Sequence, residues 1–249
     1  MIHRLILLLL VFMTISLSCV KHSFEKPVFV IVHGAWGGSW AFKKVDSLLS
    51  EKGCIVYRPQ LTGLGERVHL ANAQIGLQTH INDVVNTILF EDLHDVILVG
   101  HSYGGMVITG VADSIPDRIN KLIYVDAFLP DSGESVMSIF ANKDNYYYSL
   151  DSNGFMFPQW LKPGKSLPHD VPQPIKTFRD TLSIKHRGTN IPTLYILTVD
   201  KGADASKDEF ASQASRADEK GWKVLHLQAD HNPQWSAPGE FANMLYENR

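Results

Sequence analysis

The chain has 249 residues, of which 45% are hydrophobic and 20% are charged. This composition excludes a chain that is disordered throughout, and the length suits one large α/β domain better than two independent domains. The formal net charge of −3, with no arginine-rich stretch, argues against a nucleic-acid partner.

The first residues have the pattern of an export signal. Arg4 precedes an apolar run at residues 5–13, and small residues then lead to Cys19. The run is shorter than the roughly 18 residues that a transmembrane helix needs. Cys19 after Leu17 and Ser18 also resembles a bacterial lipoprotein cleavage site, so a lipid anchor at Cys19 and plain secretion both stay open. We predict a signal peptide at 1–18, a tether at 19–26 and an exported protein: periplasmic, secreted or lipid-anchored to a bacterial membrane.

From residue 27 onward, strand and helix patterns alternate. Short apolar runs, typical of strands buried on both faces, lie at residues 28–32, 55–58, 96–99, 122–125, 193–197 and 223–227. Apolar residues at helical spacing predict helices at residues 40–52, 77–89 and 106–115, at about 205–220, and from Pro238 onward. This alternation implies a mostly parallel sheet with helices on both faces.

Residues from about 131 to 190 interrupt the alternation. They are rich in proline and carry the run Tyr146-Tyr147-Tyr148 together with further aromatic residues. We expect this stretch to be a cap insertion over the strand ends of a single α/β domain at residues 27–249.

Ser102 is the candidate nucleophile. The apolar run before it enters Gly100-His101-Ser102-Tyr103-Gly104, and a helical pattern follows. Strand, sharp turn and helix around Gly-x-Ser-x-Gly form a nucleophile elbow, which exposes a serine hydroxyl at the top of a parallel sheet. The flanking glycines are needed because the turn leaves no room for a Cβ.

A serine nucleophile needs a histidine base and a carboxylate that orients the base. In this fold these partners follow the serine in the order acid, then histidine. Asp200 follows the predicted strand at 193–197 after Thr198 and Val199. His231 follows the last predicted strand after a short loop. We predict Asp200 and His231 as the partners of Ser102, with Asp126, at the end of the 122–125 strand, as the alternative acid.

Backbone N–H groups must stabilise the oxyanion that develops during ester cleavage. They come from the residue after the nucleophile and from the loop after the first strand, which here are Tyr103 and Ala35. His33 is expected to bond the loop backbone rather than the substrate. The histidines show no metal-binding spacing and no nucleotide-binding glycine motif follows a strand, so we predict neither a metal nor a cofactor.

Four blocks together resemble one group within the α/β-hydrolase superfamily. They are residues 33–40 (HGAWGGSW), 61–67 (LTGLGER), 100–106 (GHSYGGM) and 124–130 (YVDAFLP). The group contains plant methylesterases, hydroxynitrile lyases and bacterial carboxylesterases, including pyrethroid-hydrolase-like enzymes. The resemblance supports Asp200 in TVDKG as the acid and His231 in ADH as the base. Hydroxynitrile lyases carry threonine where this chain has Gly34 and lysine where it has Asn232, so these positions favour ester hydrolysis.

The sequence therefore predicts a cofactor-free serine carboxylesterase that acts on small to medium, apolar carboxylic esters through an acyl-enzyme. Two alternatives stay open: a non-catalytic protein that binds small molecules on the same scaffold, and a lyase that cleaves a C–C bond as hydroxynitrile lyases do. The oligomeric state does not follow from these patterns.

Overall fold

The computed structural model describes residues 26–140, 148–162, 164–185 and 190–249. Its centre is a six-stranded parallel sheet with the strand order β2-β1-β3-β4-β8-β9. The strands are β1 (Val28–Val32), β2 (Ile55–Tyr57), β3 (Val96–His101), β4 (Ile119–Val125), β8 (Thr193–Val199) and β9 (Lys223–Gln228). The predicted signal peptide, and the predicted tether apart from Lys26, lie outside the described residues.

Helices cover both faces of the sheet. They are α1 (Lys43–Glu51), α2 (Leu77–Phe90), α3 (Gly104–Ser114), α4 (Val136–Ile139), α5 (Lys176–Arg179), α6 (Ala211–Glu219), α7 (Pro233–Ser236) and α8 (Pro238–Glu247). Alternate residues of β1 enter two separate cores: Val30 and Val32 pack with α2, α3 and α6, whereas Phe29 and Ile31 pack with α1 and α8. The apolar runs read from the sequence are thus buried on both sides. The predicted α/β-hydrolase fold, with its mostly parallel sheet, is confirmed.

Two predicted helices begin later than expected. The segment predicted as a helix from residue 40 starts with the 3₁₀ turn Ser39–Phe42, and α1 follows it. The segment predicted at 205–220 splits into the 3₁₀ turn Ala205–Lys207 and α6. Asp204 and Asp208 explain this split, because their carboxylates accept the N–H groups of Ser206 and Phe210 and stabilise local turns in place of a helix.

The stretch predicted as a cap has its own small structure. The strands β5 (Tyr148–Leu150), β6 (Phe155–Pro158) and β7 (Gln173–Pro174) form an antiparallel sheet, and α4 and α5 flank it in the chain. Two backbone hydrogen bonds join its two ends, from Gly133 N–H to the Leu182 carbonyl at 2.7 Å and from Leu182 N–H to the Glu134 carbonyl at 2.8 Å. None of the helices in the described ranges combines the length and apolar character that a membrane span requires.

Candidate active site

Ser102 stands on a sharp turn between β3 and α3. Its φ of 53° lies in the left-handed region, which residues with a Cβ rarely occupy. Glycines let the turn close: a Cβ on Gly100 would lie 2.8 Å from the Gly104 carbonyl oxygen, and a Cβ on Gly104 would lie 2.6 Å from the Val32 oxygen. The turn presents the half-buried serine to a cavity at the carboxyl ends of the strands, which is the geometry of a nucleophile elbow.

His231 is paired with Asp126. The Nδ1 atom of His231 lies 2.6 Å from Oδ2 of Asp126, and the other carboxylate oxygen accepts the Thr198 N–H at 3.1 Å. Asp126 is 1% exposed, so these two bonds satisfy a carboxylate that water barely reaches. Because a carboxylate only accepts hydrogen bonds, Nδ1 carries the ring proton, and Nε2 of the neutral ring is free to accept one.

Asp200 does not occupy the position predicted for it beside His231. It follows β8 as expected, but it is exposed, and the imidazole bonds to Asp126 instead. The local backbone gives the physical reason. Asp126 is buried, and its N–H donates to the Ile196 carbonyl at 2.8 Å, whereas Asp200 belongs to an exposed turn in which its carbonyl accepts the Ala203 N–H at 2.9 Å. The expected pairing is therefore corrected to Asp126, the alternative acid.

The surroundings of His231 favour its protonated form. Burial lowers the pKa of the imidazole, but the hydrogen bond to Asp126 and the charge of this carboxylate, with smaller contributions from Glu209 and Asp208, raise it above the ordinary value. The ring of Phe210 stacks on the imidazole at a centroid distance of 5.1 Å and an interplanar angle of 5°. Such a face-on aromatic ring also attracts a cation.

His101, the variable residue before the nucleophile, holds the backbone of His231. Its Nε2 lies 2.7 Å from the His231 carbonyl oxygen, which can only accept, so Nε2 carries a hydrogen. Burial, followed by the charge of His231, lowers the pKa of His101 to about 3. His101 is thus a neutral donor that holds the backbone of His231 in position.

The loop after β1 is held by His33. The Nδ1 of His33 donates to the Gly34 carbonyl at 2.8 Å, and its Nε2 accepts the Leu61 N–H at 3.3 Å. Burial lowers the pKa of His33 to about 4, so the ring stays neutral and can do both. The bond to the loop backbone is the role predicted for His33. A Cβ on Gly34 would lie 3.1 Å from the Cβ of Ser102, so glycine keeps the space between the loop and Ser102 open.

The backbone N–H groups predicted for the oxyanion lie on this loop and on the elbow. Ala35 lines the same cavity as Ser102 and His231. Among the described residues, neither the Ala35 N–H nor the Tyr103 N–H has a hydrogen-bond acceptor, so both remain free to bind a ligand oxygen. The buried side chain of Tyr103 is anchored by His80, whose Nδ1 lies 2.9 Å from the phenol oxygen and whose Nε2 donates to the Thr62 carbonyl at 3.0 Å.

The cavity has a volume of about 670 Å³, and its wall is mainly apolar, with many aromatic residues. Core and cap residues both contribute to its wall: Trp36, Phe128, Phe140, Tyr148, Trp160, Phe178 and Phe210. In the described part of the chain, no hydrogen bond joins the Ser102 hydroxyl to His231, a bond that often forms only when substrate is bound. The same part of the chain contains no group of three or more His, Cys, Asp or Glu side chains that could hold a metal ion.

The sequence favoured Asp200 over Asp126 as the partner of His231, whereas the imidazole bonds Asp126 in the structure; the sequence also predicted no contact between Phe210 and His231. The signal for Asp126 was the same as for Asp200, since each follows a buried strand. Burial separates them in the structure, since Asp126 is buried and Asp200 is exposed, and this difference depends on tertiary contacts that the local pattern does not contain. Phe210 could not be placed because its contact with His231 is a tertiary one, formed across α6 and β9.

Known proteins share this fold and much of this sequence. The model of the alpha/beta hydrolase family matches residues 29–244. A carbendazim-hydrolysing esterase of Nocardioides sp. (strain SG-4G) is 35% identical over 243 residues, which cover 87% of this chain and 97% of the relative. Methylesterase 2 of Arabidopsis thaliana is 30% identical over 134 residues, which cover 53% of this chain and 50% of the relative.

Two solved structures resemble the fold. An extracellular alpha/beta-hydrolase from a Paenibacillus species has a TM-score of 0.70 at 23% identity, with 89% of this chain and 98% of that chain covered. A pyrethroid hydrolase from Sphingobium faniae JZ-2 has a TM-score of 0.72 at 24% identity, with 89% and 96% covered. At these identities the two structures support the architecture alone. The family match over residues 29–244 and the 35% identical relative from Nocardioides show that this chain belongs to the alpha/beta hydrolase family.

Proposed function

We propose that this protein is a serine carboxylesterase in which Ser102, His231 and Asp126 act as a triad. The observation that carries the proposal is the 2.6 Å contact between Asp126 and His231. His231 lines the same cavity as Ser102, which stands on a strained turn. The esterase names of the relatives from Nocardioides and Arabidopsis support the reaction class.

In the first half of the reaction, the Ser102 hydroxyl attacks the ester carbonyl carbon and His231 Nε2 takes its proton. Asp126 holds the ring with Nδ1 protonated and stabilises the imidazolium that forms. The Ala35 and Tyr103 N–H groups bind the oxyanion, for which preorganised donors are worth a factor of about 10² to 10³ each. Collapse of the tetrahedral intermediate expels the alcohol, which receives the proton from His231.

The second half repeats these roles with water. His231 removes a proton from a water molecule, which attacks the acyl carbon, and the same two N–H groups hold the second oxyanion. Breakdown returns the proton to Ser102 and releases the carboxylic acid. The neighbouring carboxylates Asp208 and Glu209 place negative charge near His231, so we expect electrostatic repulsion to favour departure of the anionic product.

The cavity suits uncharged esters of small to medium size with an apolar or aromatic group. Its volume of about 670 Å³ lies within the usual range of small-molecule sites, and its wall is mainly apolar, with many aromatic residues. Gly34 and Asn232 stand where the related hydroxynitrile lyases have threonine and lysine, so the arrangement favours hydrolysis over C–C cleavage.

The replacement Ser102→Ala tests the proposal. With p-nitrophenyl acetate and butyrate as substrates, we expect this variant to lose a factor of about 10⁴ or more in kcat and to keep its affinity for a non-reactive substrate analogue. Wild-type protein that turns over no ester in a panel of varied acyl and alcohol groups, but binds them, would instead identify a binding protein. Release of an aldehyde and cyanide from cyanohydrins, without ester hydrolysis, would identify a lyase.

A further inference from the structure

We infer that Gln173, a buried residue of the cap, is a positioning residue that sets the direction of the Ala35 N–H in the oxyanion hole. This inference rests on the proposed function, since it assigns a task in the same reaction. Gln173 begins β7, is 0% exposed and lies far from Ala35 in the chain.

The loop that carries Ala35 contains a strained turn. Trp36 has a φ of 59°, and the N–H of Gly37 donates to the Ala35 carbonyl at 2.6 Å. A three-residue turn with positive φ at its central residue is rare and strained, and it is rarer still for a bulky residue. Such a turn persists only where the surrounding structure over-determines it.

Gln173 forms a hydrogen bond that stabilises this turn. Its Oε1 accepts the Trp36 N–H at 2.7 Å. The orientation of its amide is fixed from the other side, because Nε2 donates to the Thr177 hydroxyl at 2.7 Å and this hydroxyl donates to the Pro174 carbonyl at 2.7 Å. Thr177 is also fully buried, so the amide oxygen can face only the loop.

The two peptide groups that flank Ala35 are therefore held by two different residues, His33 and Gln173. His33 on the core holds the Gly34 carbonyl, and because that peptide is trans, the Ala35 N–H points away from His33. Gln173 on the cap holds the following peptide through its N–H. Because the planes of both peptide groups are fixed, the direction of the Ala35 N–H is set before the substrate binds. Stabilisation of the transition state requires such preorganised donors.

Other contacts keep the Trp36 side chain in place when Gln173 is replaced. The indole Nε1 donates to the Met156 carbonyl at 3.2 Å, and the indole ring packs against the rings of Trp160 and Phe178. The Trp36 carbonyl, which accepts the Val171 N–H at 2.9 Å, belongs to the peptide after the one that Gln173 holds. Loss of the Gln173 amide should thus release the backbone turn while the aromatic wall of the cavity remains. Gln173 should contribute to kcat much more than to KM.

The test compares Gln173→Met with Gln213→Met. Gln213 is a matched control, because it is 5% exposed and its Oε1 also accepts a backbone N–H, that of Leu129, at 3.0 Å. We expect Gln173→Met to lower kcat on p-nitrophenyl butyrate roughly tenfold to a hundredfold with KM within about twofold, since displacement of a catalytic group by about 1 Å can cost 10²-fold. Gln213→Met should lower the melting temperature without this loss of kcat.

An aryl trifluoromethyl ketone adds a second readout. Addition of Ser102 to its carbonyl carbon sends the hydroxyl proton to His231 and leaves an oxyanion on the former carbonyl oxygen. Its affinity should therefore fall in Gln173→Met by the same factor as kcat, while the affinity of the corresponding aryl alcohol, which has no carbonyl, stays unchanged.

Equal kcat and equal ketone affinity in wild type and Gln173→Met, or a rise in KM alone, would overturn the inference. If Gln173→Met does not fold, Gln173→Asn replaces it, since the shorter amide keeps polarity but cannot reach both partners. Ser102→Ala is measured in parallel. Turnover that survives in Ser102→Ala contradicts the proposed function, whereas turnover lost in Ser102→Ala and unchanged in Gln173→Met contradicts only the role of Gln173.

Discussion

At the scale of single residues, Asp126 and Asp200 offer a direct comparison, because both follow buried strands and only Asp126 reaches the imidazole. Asp126→Asn should lower kcat/KM by about 10⁴, since an amide neither fixes the Nδ1–H tautomer reliably nor stabilises the imidazolium. Asp200→Asn should cause no comparable loss. Steady-state kinetics of both variants on one ester measure the difference. A large loss in Asp200→Asn with little loss in Asp126→Asn would instead identify Asp200 as the acid.

A second residue-scale prediction concerns the pH dependence of the reaction. His231 acts as a base only when neutral, so its raised pKa places the loss of activity on the acidic side, and kcat/KM should rise with pH through that pKa. Phe210→Leu removes the stacked ring, whose attraction for the imidazolium is worth about 0.5–1 kcal/mol. The acid limb should therefore move to lower pH by about 0.4–0.7 units.

Phe140→Leu is the control for this shift. Phe140 also lines the cavity and packs edge-on against Phe210, at 6.1 Å between centroids. The Phe140→Leu variant loses aromatic surface of the same cavity but keeps the ring that stacks on His231. The acid limb of its pH profile should therefore coincide with that of the wild type. Equal pH profiles for Phe210→Leu and wild type would show that the stacked ring does not contribute to the basicity of His231.

At the scale of elements, apolar runs and helical spacing predicted the strands and helices that build the sheet and its two faces. Boundaries shifted where polar side chains compete with the helix, as Asp204 and Asp208 do before α6. The internal structure of the cap did not follow from the sequence, because β7 is two residues long and depends on contacts such as that between Gln173 and Trp36. The partner of His231 did not follow from the sequence either, because the contact with Asp126 joins residues that are 105 positions apart.

Glu134, at the start of the cap, provides an element-scale prediction. Arg216 of α6 bonds both oxygens of this carboxylate, and the hydrogen bond to Arg216 lowers the pKa of Glu134 despite partial burial. A lowered pKa means that the ionised pair stabilises the fold above the ordinary glutamate range and that this contribution disappears as the pH falls. Glu134→Gln should therefore reduce the free energy of unfolding by about 1 kcal/mol at neutral pH and by progressively less below about pH 4.5.

Urea unfolding of wild type and Glu134→Gln across this pH series measures the difference. Glu240→Gln serves as the control, because Glu240 is an exposed glutamate in the first turn of α8. A difference between wild type and Glu134→Gln that stays constant as the pH falls would mean that the charge on Glu134 is not what secures the cap to α6.

At the scale of the whole molecule, the site is assembled from parts that are distant in the chain. β3 supplies Ser102, the end of β4 supplies Asp126, and the loop after β9 supplies His231. The cap adds Gln173 and part of the cavity wall. All of these lie within residues 27–249, so the proposed chemistry requires nothing from the stretch predicted to be a signal peptide and tether.

This separation leads to the last prediction. In a bacterial host that exports the full chain, the mature protein should lack residues 1–18, and a version that begins at residue 27 should hydrolyse esters with the same kcat/KM as the mature form. Intact-mass measurement of membrane and soluble fractions distinguishes the two processing routes. Lipidation at Cys19 adds acyl mass, holds the protein in the membrane fraction and is abolished by Cys19→Ser, whereas plain secretion gives an unmodified chain in the soluble fraction. A mature mass that still includes residues 1–18 would contradict the predicted cleavage.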